Sequence, residues 1–535
     1  MSLRPAIRLL AVTGPLLVLA IFFAWPVVEL LVRGFTDDEF SISDVAGSRS
    51  LRSVIWFTVW QAMVSTIATL VIAMPLTAVL ANVRFRGRRI VRALVTVPFV
   101  LPTVVVAGAF IATSNELGVT DGTFSLSRSV FGIIVAHVFF NVAVVARTVG
   151  GYWSQLARDD EQAARMLGSG PVRTFLTITL RRLRPSVLAA TSIIFLFTFT
   201  SFGIVLILGG SRQRTIETEI YRYAINRADF GTAAALSVLQ LIAVVALVMA
   251  NTRLRGRLTT DRITVDRARS PQTNAGRLAA WAVVAVTVGA LLVPVAVLLL
   301  QALSTAGGYG FDHFRALTDR PPFLTVSPGR TVLNSLLFAA VATAIATVVG
   351  GWASFVIAFG RRRWSRLTEL GYLLPLGTSA VTLGLGILIT FDTGWLDLRG
   401  SWIIIPLAQA LIGIPFVTRA VAPVLQAIDP TLREAAASMG ATPTQIRRDI
   451  DLPIARRALL VGAGFAFAIS LGEFGATSFV GRDPDRMTVP LAIARLLSQP
   501  GDAIRGQAMA LSVILMLVTM IVLVVIDRVD QDVLI

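Results

Sequence analysis

The sequence predicts an all-α membrane protein with about twelve transmembrane helices. Of its 535 residues, 55% are hydrophobic and only 15% are charged, and the mean hydropathy is +0.76. Soluble domains have closer to a quarter of their residues charged. Apolar runs of about 18 to 28 residues, each long enough to cross a bilayer as a helix, recur along the whole chain.

The predicted spans divide evenly between two halves of the chain. In the first half they are Leu9–Val32, Val54–Asn82, Ala93–Thr113, Val130–Val149, Pro185–Leu208 and Thr232–Ala250. In the second half they are Ala279–Leu300, Val332–Phe359, Leu367–Ile389, Ser401–Val421, Ala458–Val480 and Gln507–Ile526. We expect the third and ninth spans to be interrupted by Pro98, Pro102 and Pro375. The first run lacks a small-residue cleavage site, so we expect it to stay as a span.

The distribution of the arginines indicates the orientation. A net charge of +17 is also typical of nucleic-acid binding, but about two thirds of the basic residues fall in alternate connections between spans, as the positive-inside rule requires. We therefore expect both termini to be cytoplasmic and no nucleic-acid partner. The clusters Arg84–Arg89 and Arg361–Arg363 are interpreted as topology anchors beside anionic lipid headgroups.

Several kinds of chemistry are excluded by composition. The chain has no cysteine, which excludes disulfides and thiol chemistry, and its two histidines, His137 and His313, are too few for a histidine-built metal centre. It also lacks the G-x4-G-K-[ST] loop that cradles nucleotide phosphates. We therefore expect no cofactor on this chain and no catalytic residues.

The two halves are repeats of each other. We predict repeats at residues 1–250 and 278–535, joined by a polar cytoplasmic linker at residues 251–277. A shift of 272 residues places Phe474-Gly475 on Phe202-Gly203. Because each half has an even number of spans, the repeats are parallel, with a pseudo-two-fold axis along the membrane normal.

A polar stretch at residues 434–453, the second polar loop, separates two apolar runs. It predicts a helix, a turn at Gly440 that needs a positive φ, and a second helix. Such a loop cannot lie in hydrocarbon. Its pattern, E-A-A-x3-G-x9-I-x-L-P, consists of Glu434, Ala435, Ala436, Gly440, Ile450, Leu452 and Pro453. The 272-residue shift places a first polar loop at residues 162–181, with Gln162, Ala163, Ala164, Gly168, Ile178 and Leu180 at the matching positions.

This pattern resembles the cytoplasmic loop of permeases in binding-protein-dependent ABC importers. The resemblance implies the type I importer permease fold in a bacterial cell membrane. It also implies that each loop docks on one of two ATPase subunits, separate chains that hold ATP and Mg. Gln162 replaces the family's glutamate and Arg181 its proline, so the first loop is degenerate but is still expected to dock. A substrate-binding protein would dock on the opposite side, at Gly34–Ser53, Ser114–Arg128, Gly209–Arg227 and Gly481–Arg505.

Longer segments resemble the fused permeases of thiamine and ferric-ion importers. They are Phe57–Ala62, Gly132–Asn141, Ser201–Arg222 and Ser470–Pro490, with Ser211 where the thiamine group usually has a third glycine. The last segment is also similar to ferric-type permeases, so iron remains the alternative cargo. Thiamine or its phosphates are favoured.

Candidate residues for the substrate pathway lie in the apolar spans. Glu473 could face a cavity for a cationic cargo, or it could serve a helix terminus or an arginine. His137 and Asn141 lie one helical turn apart and could line the pathway or pack across the bundle, and Gln409 is the repeat partner of His137. Ser201, Phe202 and Phe474 complete the set, and Phe197, Phe199 and Phe202 could stack on a cargo ring.

Two other function classes are disfavoured. A secondary transporter of the major facilitator type carries G-x3-D-R-x-G-R-R between its second and third spans. Here residues 84–89 lack the aspartate and the first glycine. A membrane-embedded enzyme would need a metal cluster or a paired His/Asp arrangement, which the sequence does not suggest.

Overall fold

The computed structural model describes residues 13–36, 47–120, 122–210, 212–255, 273–305, 307–392, 397–398, 400–481 and 483–531. Several sequence predictions fall partly outside this set. They are the start of the first span at Leu9, most of the linker (residues 256–272), the unusual Ser211, and parts of the predicted docking segments Gly34–Ser53 (residues 37–46), Ser114–Arg128 (residue 121) and Gly481–Arg505 (residue 482).

The helices of the first half are α1 (Thr13–Phe35), α2 (Arg49–Asn82), α3 (Arg88–Val100), α4 (Thr103–Glu116), α5 (Val130–Trp153), α6 (Asp159–Met166), α7 (Pro171–Phe199), α8 (Gly203–Leu208), α9 (Ile216–Tyr221) and α10 (Phe230–Arg255). The second half has α11 (Asn274–Leu303), α12 (Asp312–Arg315), α13 (Pro328–Phe359), α14 (Arg362–Gly377), α15 (Ala380–Thr390), α16 (Ile404–Gln426), α17 (Pro430–Ser438), α18 (Pro443–Gly472), α19 (Thr477–Val480), α20 (Val489–Leu497) and α21 (Asp502–Gln531). Two strands of two residues are β1 (Ser304–Thr305) and β2 (Gly308–Tyr309).

The predicted all-α membrane class is confirmed. Among the described residues, ten helices are long and apolar enough to cross a membrane, and two bent helix pairs raise the number to as many as twelve. The same order of elements recurs in both halves: a span, a bent pair, a span, a short polar helix, a span and two short helices.

The bent pairs are the interrupted third and ninth spans, and their bends are sharp. α3 and α4 meet at 100°, and α14 and α15 meet at 103°. Leu101 is extended because it precedes Pro102, whose ring disfavours a helical conformation there. In the second pair Thr378 is extended, and the Ser379 side chain accepts hydrogen bonds from the first backbone N–H groups of α15.

Two other predicted spans are not continuous helices. The runs Pro185–Leu208 and Ala458–Val480 were expected to cross in one piece, but α7 ends at Phe199 and α18 ends at Gly472. A break of a few residues follows each, and then a short helix begins. Hydropathy does not reveal these breaks because the residues on both sides are apolar.

The chain forms two compact units that interleave along the sequence. One comprises Met1–Val45, Glu219–Leu241 and Gly307–Ile535, and the other comprises Ala46–Thr218 and Ile242–Ala306. In the first unit α1 packs on second-half helices, where the Tyr372 hydroxyl donates to the Pro15 carbonyl over 2.6 Å. In the second unit α11 packs on first-half helices, where the Gln301 amide donates to the Ala112 carbonyl over 3.0 Å. The first helix of each half thus belongs to the packing unit of the other half.

Small residues allow the central helices of the first unit to approach closely. A Cβ atom on Gly350 of α13 would lie 2.8 Å from the Cβ of Val417 on α16, and one on Gly462 of α18 would lie 2.9 Å from the Val417 Cα. Helix association in lipid relies on such close packing, because burial of apolar surface gives no driving force there.

We predict that Gly350→Ala lowers the thermal midpoint of the detergent-solubilised protein. The added methyl group must displace Val417, and overpacking of this kind costs roughly 1–3 kcal/mol. Gly289→Ala in α11 is the matched control, because a Cβ there meets nothing within 4 Å and alanine favours a helix. Equal midpoints for the two variants would contradict the close approach of α13 and α16.

Candidate functional site

The second polar loop has the predicted helix, turn and helix. α17 begins at Pro430, where the Asp429 carboxylate accepts a hydrogen bond from the Thr431 N–H over 2.9 Å. This bond, together with one from the Thr431 hydroxyl, lowers the pKa of Asp429. α17 ends at Ser438, and Gly440, with a φ of +88°, reverses the chain. Backbone bonds from Gly440 N to Ala437 O and from Ala441 N to Ala436 O, both 3.0 Å, close a Schellman turn.

The first polar loop has the same geometry despite its different sequence. Gly168 has a φ of +82°. Backbone bonds from Gly168 N to Arg165 O and from Ser169 N to Ala164 O, again both 3.0 Å, close the same turn. The glycine and the second alanine of the motif therefore have one identifiable role in both loops, which is to end the short helix.

A π-helical turn lies in the last part of each polar loop, at the same repeat position. It covers Phe175–Thr179 in α7 and Arg447–Asp451 in α18. Such insertions are rare and often occur at functional sites. Here the wider turn ends at a polar residue, Thr179 or Asp451, that bonds back to the short helix.

These bonds fasten each short helix to the span that follows it. In the second loop, Arg433 Nη2 donates to Asp451 Oδ2 over 3.0 Å, and the Arg433 guanidinium lies 3.7 Å from the ring centroid of Phe359. In the first loop, the Thr179 hydroxyl donates to Glu161 Oε1 over 2.6 Å. A shift of 272 residues relates Glu161 to Arg433 and Thr179 to Asp451. Sequence reasoning missed all four, although the repeat alignment places them at matching positions.

The loops expose apolar side chains. Met166 and Leu167 are each 89% exposed, and Met439 is 83% exposed. Gln162, Ala163, Glu434, Ala435 and Pro453 are also exposed, whereas Ala436 is buried and Ile178, Leu180 and Ile450 are half-buried. Exposed methionine and leucine on a polar, rigid loop are typical of a surface that another protein covers.

His137 is buried at a junction of three segments. Its Nδ1 lies 3.1 Å from the Ser65 hydroxyl of α2, and its Nε2 lies 2.9 Å from the Ser201 hydroxyl at the break after α7. The Asn141 amide donates to the carbonyl of His137 over 2.9 Å. Gln409 is buried in α16. These contacts favour the packing interpretation of His137 over a role in the pathway.

Glu473 lies at the break after α18 and caps the next helix. Its carboxylate accepts hydrogen bonds from the Ala476 N–H over 2.7 Å and from the Thr477 N–H over 2.9 Å. It also accepts a hydrogen bond from the Thr477 hydroxyl. The side chain is buried. This geometry is the helix-terminus alternative considered from the sequence.

The candidate aromatic residues do not share one surface. Phe199 and Phe202 are buried, as is Phe474, whereas Phe197 is 42% exposed. Phe199 stacks on Phe195 with centroids 5.8 Å apart, and Phe197 contacts Phe99 at 6.0 Å. The structure therefore does not bring the three phenylalanines of this region together as a single platform.

Both halves match one family of membrane proteins. The family described as "Binding-protein-dependent transport system inner membrane component" matches residues 73–256 and 321–535, and so includes both polar loops.

Curated relatives extend over most of the chain. A probable ABC transporter permease protein of Sinorhizobium fredii is 24% identical over 501 residues, which is 85% of this chain and 87% of the relative. The thiamine transport system permease protein of Brucella suis is 26% identical and covers 88% of this chain and 86% of the relative. The corresponding Escherichia coli protein is 25% identical, with coverages of 89% and 88%.

We predict that Asp451→Asn loosens α17 locally. The change leaves the half-buried Arg433 without its charged partner, so amide hydrogen exchange across residues 431–440 should accelerate at least about tenfold, equivalent to about 1.4 kcal/mol of local opening free energy. Asp449→Asn is the matched control, because Asp449 is exposed and lies 4.0 Å from Arg448. Unchanged exchange in Asp451→Asn would show that the ion pair does not hold α17.

We also predict that His137→Leu lowers the thermal midpoint. The change leaves the buried hydroxyls of Ser65 and Ser201 without this hydrogen-bond partner, and each such loss costs about 1–3 kcal/mol of folding stability. His137→Gln, the residue found at the matching position 409, should recover part of the loss. A His137→Leu protein of normal stability that fails only in its activity would instead place His137 in the pathway.

Proposed function

The chain belongs to the family of binding-protein-dependent transport system inner membrane components, and from this premise we propose that it forms the translocation pathway of an ATP-driven importer for thiamine or its phosphates. It is an ABC importer permease, a transport component whose family works with an ATPase and a substrate-binding protein. Thiamine is supported by the Ser201–Arg222 resemblance and by the two relatives named for thiamine transport. Ferric iron is the alternative.

The observation that carries the proposal is the identical construction of the two polar loops. Each loop presents a short helix ended by a left-handed glycine, with exposed apolar residues beside it. Two such loops fit two ATPase subunits, one for each loop. ATP and Mg bind on those subunits, and this chain supplies the surfaces that they move.

Rigid connections transmit the movement to the membrane spans. The Arg433–Asp451 ion pair joins α17 to α18, and the Glu161–Thr179 hydrogen bond joins α6 to α7. When the ATPase subunits close, force on Met439 or Met166 passes through these joints rather than bending a flexible loop. The ion pair, stacked on Phe359, makes the second joint the stiffer one, so the second loop is the more sensitive to mutation.

The orientation follows from the same assignment. The polar loops face the cytoplasm, both termini are cytoplasmic, and the substrate-binding protein docks on the opposite connections. His137, Asn141, Ser201, Phe202, Gln409, Glu473 and Phe474 are the candidate pathway residues, and those with structural partners would act by shaping the path rather than by binding cargo directly.

We predict that deletion of this chain reduces uptake of labelled thiamine at limiting external concentration and leaves ferric iron uptake unchanged. The two uptake assays should be run on the same deletion strain and on its complemented form. Loss of iron uptake alone would exclude thiamine as the cargo and place the chain with the ferric-ion importers.

We predict that Gly440→Pro and Glu434→Arg each reduce transport to near the background rate while the protein still folds and inserts. Proline cannot adopt the φ of +88°, and it has no N–H to donate to the Ala437 carbonyl as Gly440 does. Glu434→Arg reverses a charge on the proposed docking surface.

Gly308→Pro is the matched control for the Gly440 variant. Gly308 has a φ of +118° and open space around it, but it lies at the start of β2 and away from both polar loops. Normal transport by Gly440→Pro, or an equal loss in Gly308→Pro, would contradict a coupling role for the second loop.

A further inference from the structure

A basic cavity lies where α2 ends and α11 begins. It has a volume of about 700 Å³, and four arginines line it, Arg84, Arg86, Arg88 and Arg277. None of the described residues that line it is acidic. Arg88 is held by the end of α2, because its Nε donates to the Leu80 carbonyl over 2.9 Å. The other three arginines are exposed.

One wall of the cavity is aromatic. Phe85 and Trp281 meet edge to face with centroids 5.3 Å apart, and Trp281 is 45% exposed. Tryptophan is enriched where hydrocarbon meets headgroups, and α11 continues from this point as a membrane span. The cavity therefore combines cationic donors with an amphipathic ring at the edge of the apolar region.

The hydrogen bonds of Arg158 place the cavity on the same side of the membrane as the first polar loop. Arg158, which directly precedes α6, donates to both the backbone carbonyl and the side-chain oxygen of Asn82, each over 3.2 Å. Asn82 is the last residue of α2 and neighbours the cavity residue Val83. The cavity and the first polar loop therefore lie on the same side, which is the cytoplasmic side in the proposed orientation.

We propose that this cavity binds the phosphate of an anionic phospholipid such as phosphatidylglycerol. The lipid belongs to the leaflet on the same side of the membrane as the first polar loop. A guanidinium group can donate two parallel hydrogen bonds to the oxygens of one phosphate. Basic pockets between spans on the cytoplasmic side are suited to lipid headgroups. The chain's own linker does not fit as the occupant. Residues 256–272 contain four arginines and two aspartates, and so carry a net charge of +2 that a cavity lined by arginines repels.

The bound lipid would affect the first polar loop. A phosphate held by Arg84 and Arg88 fixes the turn after α2, and Asn82, the last residue of α2, accepts hydrogen bonds from Arg158 directly before α6. The site thus connects the lipid composition of the leaflet to the position of one loop. It does not depend on which cargo is transported.

The test is native mass spectrometry of the full chain in detergent with added phosphatidylglycerol or phosphatidylcholine. We expect retained phosphatidylglycerol adducts, at least about tenfold weaker in the triple variant Arg84→Gln/Arg86→Gln/Arg277→Gln. The matched control is Arg361→Gln/Arg362→Gln/Arg363→Gln, which removes the same charge from exposed arginines of the second half. This control should retain the lipid to within about twofold.

Three results would overturn the proposal. They are equal retention in the two triple variants, equal retention of phosphatidylcholine, and displacement of the lipid by millimolar glycerol 1-phosphate, which would identify a site for free phosphate compounds instead. As a second readout, phosphatidylglycerol with brominated acyl chains should quench tryptophan fluorescence less in Trp281→Phe than in the unmodified chain, with both proteins equally stable.

Discussion

The structure depends on one constraint, which is that buried backbone groups freed where a helix stops must find partners inside the protein. Several helices begin or end in the protein interior, and side chains there form hydrogen bonds with the freed backbone groups. Thr58 accepts the Ile216 N–H over 3.0 Å, and Ser335 accepts the Val489 N–H over 2.7 Å, so each half anchors the start of one short helix on a long span. Glu473 serves the same purpose with a carboxylate. Hydroxyl and carboxyl groups in these spans therefore have a structural reason to be present before any role with cargo is considered.

The sequence was sufficient for features set by composition and repetition. Apolar length predicted the spans, the 272-residue shift predicted the paired loops, and Gly440 predicted a turn of positive φ that the structure has. The breaks at Phe199 and Gly472 were missed because apolar residues continue beyond them. The exchange of α1 and α11 between units was missed because hydropathy identifies a span but not its neighbours. The role of Glu473 remained open because a buried carboxylate is compatible with a cap, an ion pair or a ligand, and only the positions of the Ala476 and Thr477 N–H groups distinguish them.

The two loops keep one geometry with different chemistry. Arg433 and Asp451 form an ion pair where Glu161 and Thr179 form a hydrogen bond, so an acidic residue lies on the short helix in one half and on the span in the other. The turns, the π-helical insertions and the glycine conformations are unchanged. The connection between the short helix and the span is therefore present in both halves, although different side chains make it. The more strongly polar joint occurs beside the loop whose motif is complete, and the weaker joint beside the loop that has lost its glutamate.

The exchange of first helices has a consequence for how such a protein can be divided. If the chain were split between α10 and α11, each product would carry segments whose packing partners are on the other product. α1 and residues 219–241 belong to the unit of the second half, and α11 packs on first-half helices. Neither product could complete its own folding unit, and each would expose the bare face that its partner's helix normally covers. The two halves are thus interdependent folding partners, and each needs a helix of the other to complete its unit.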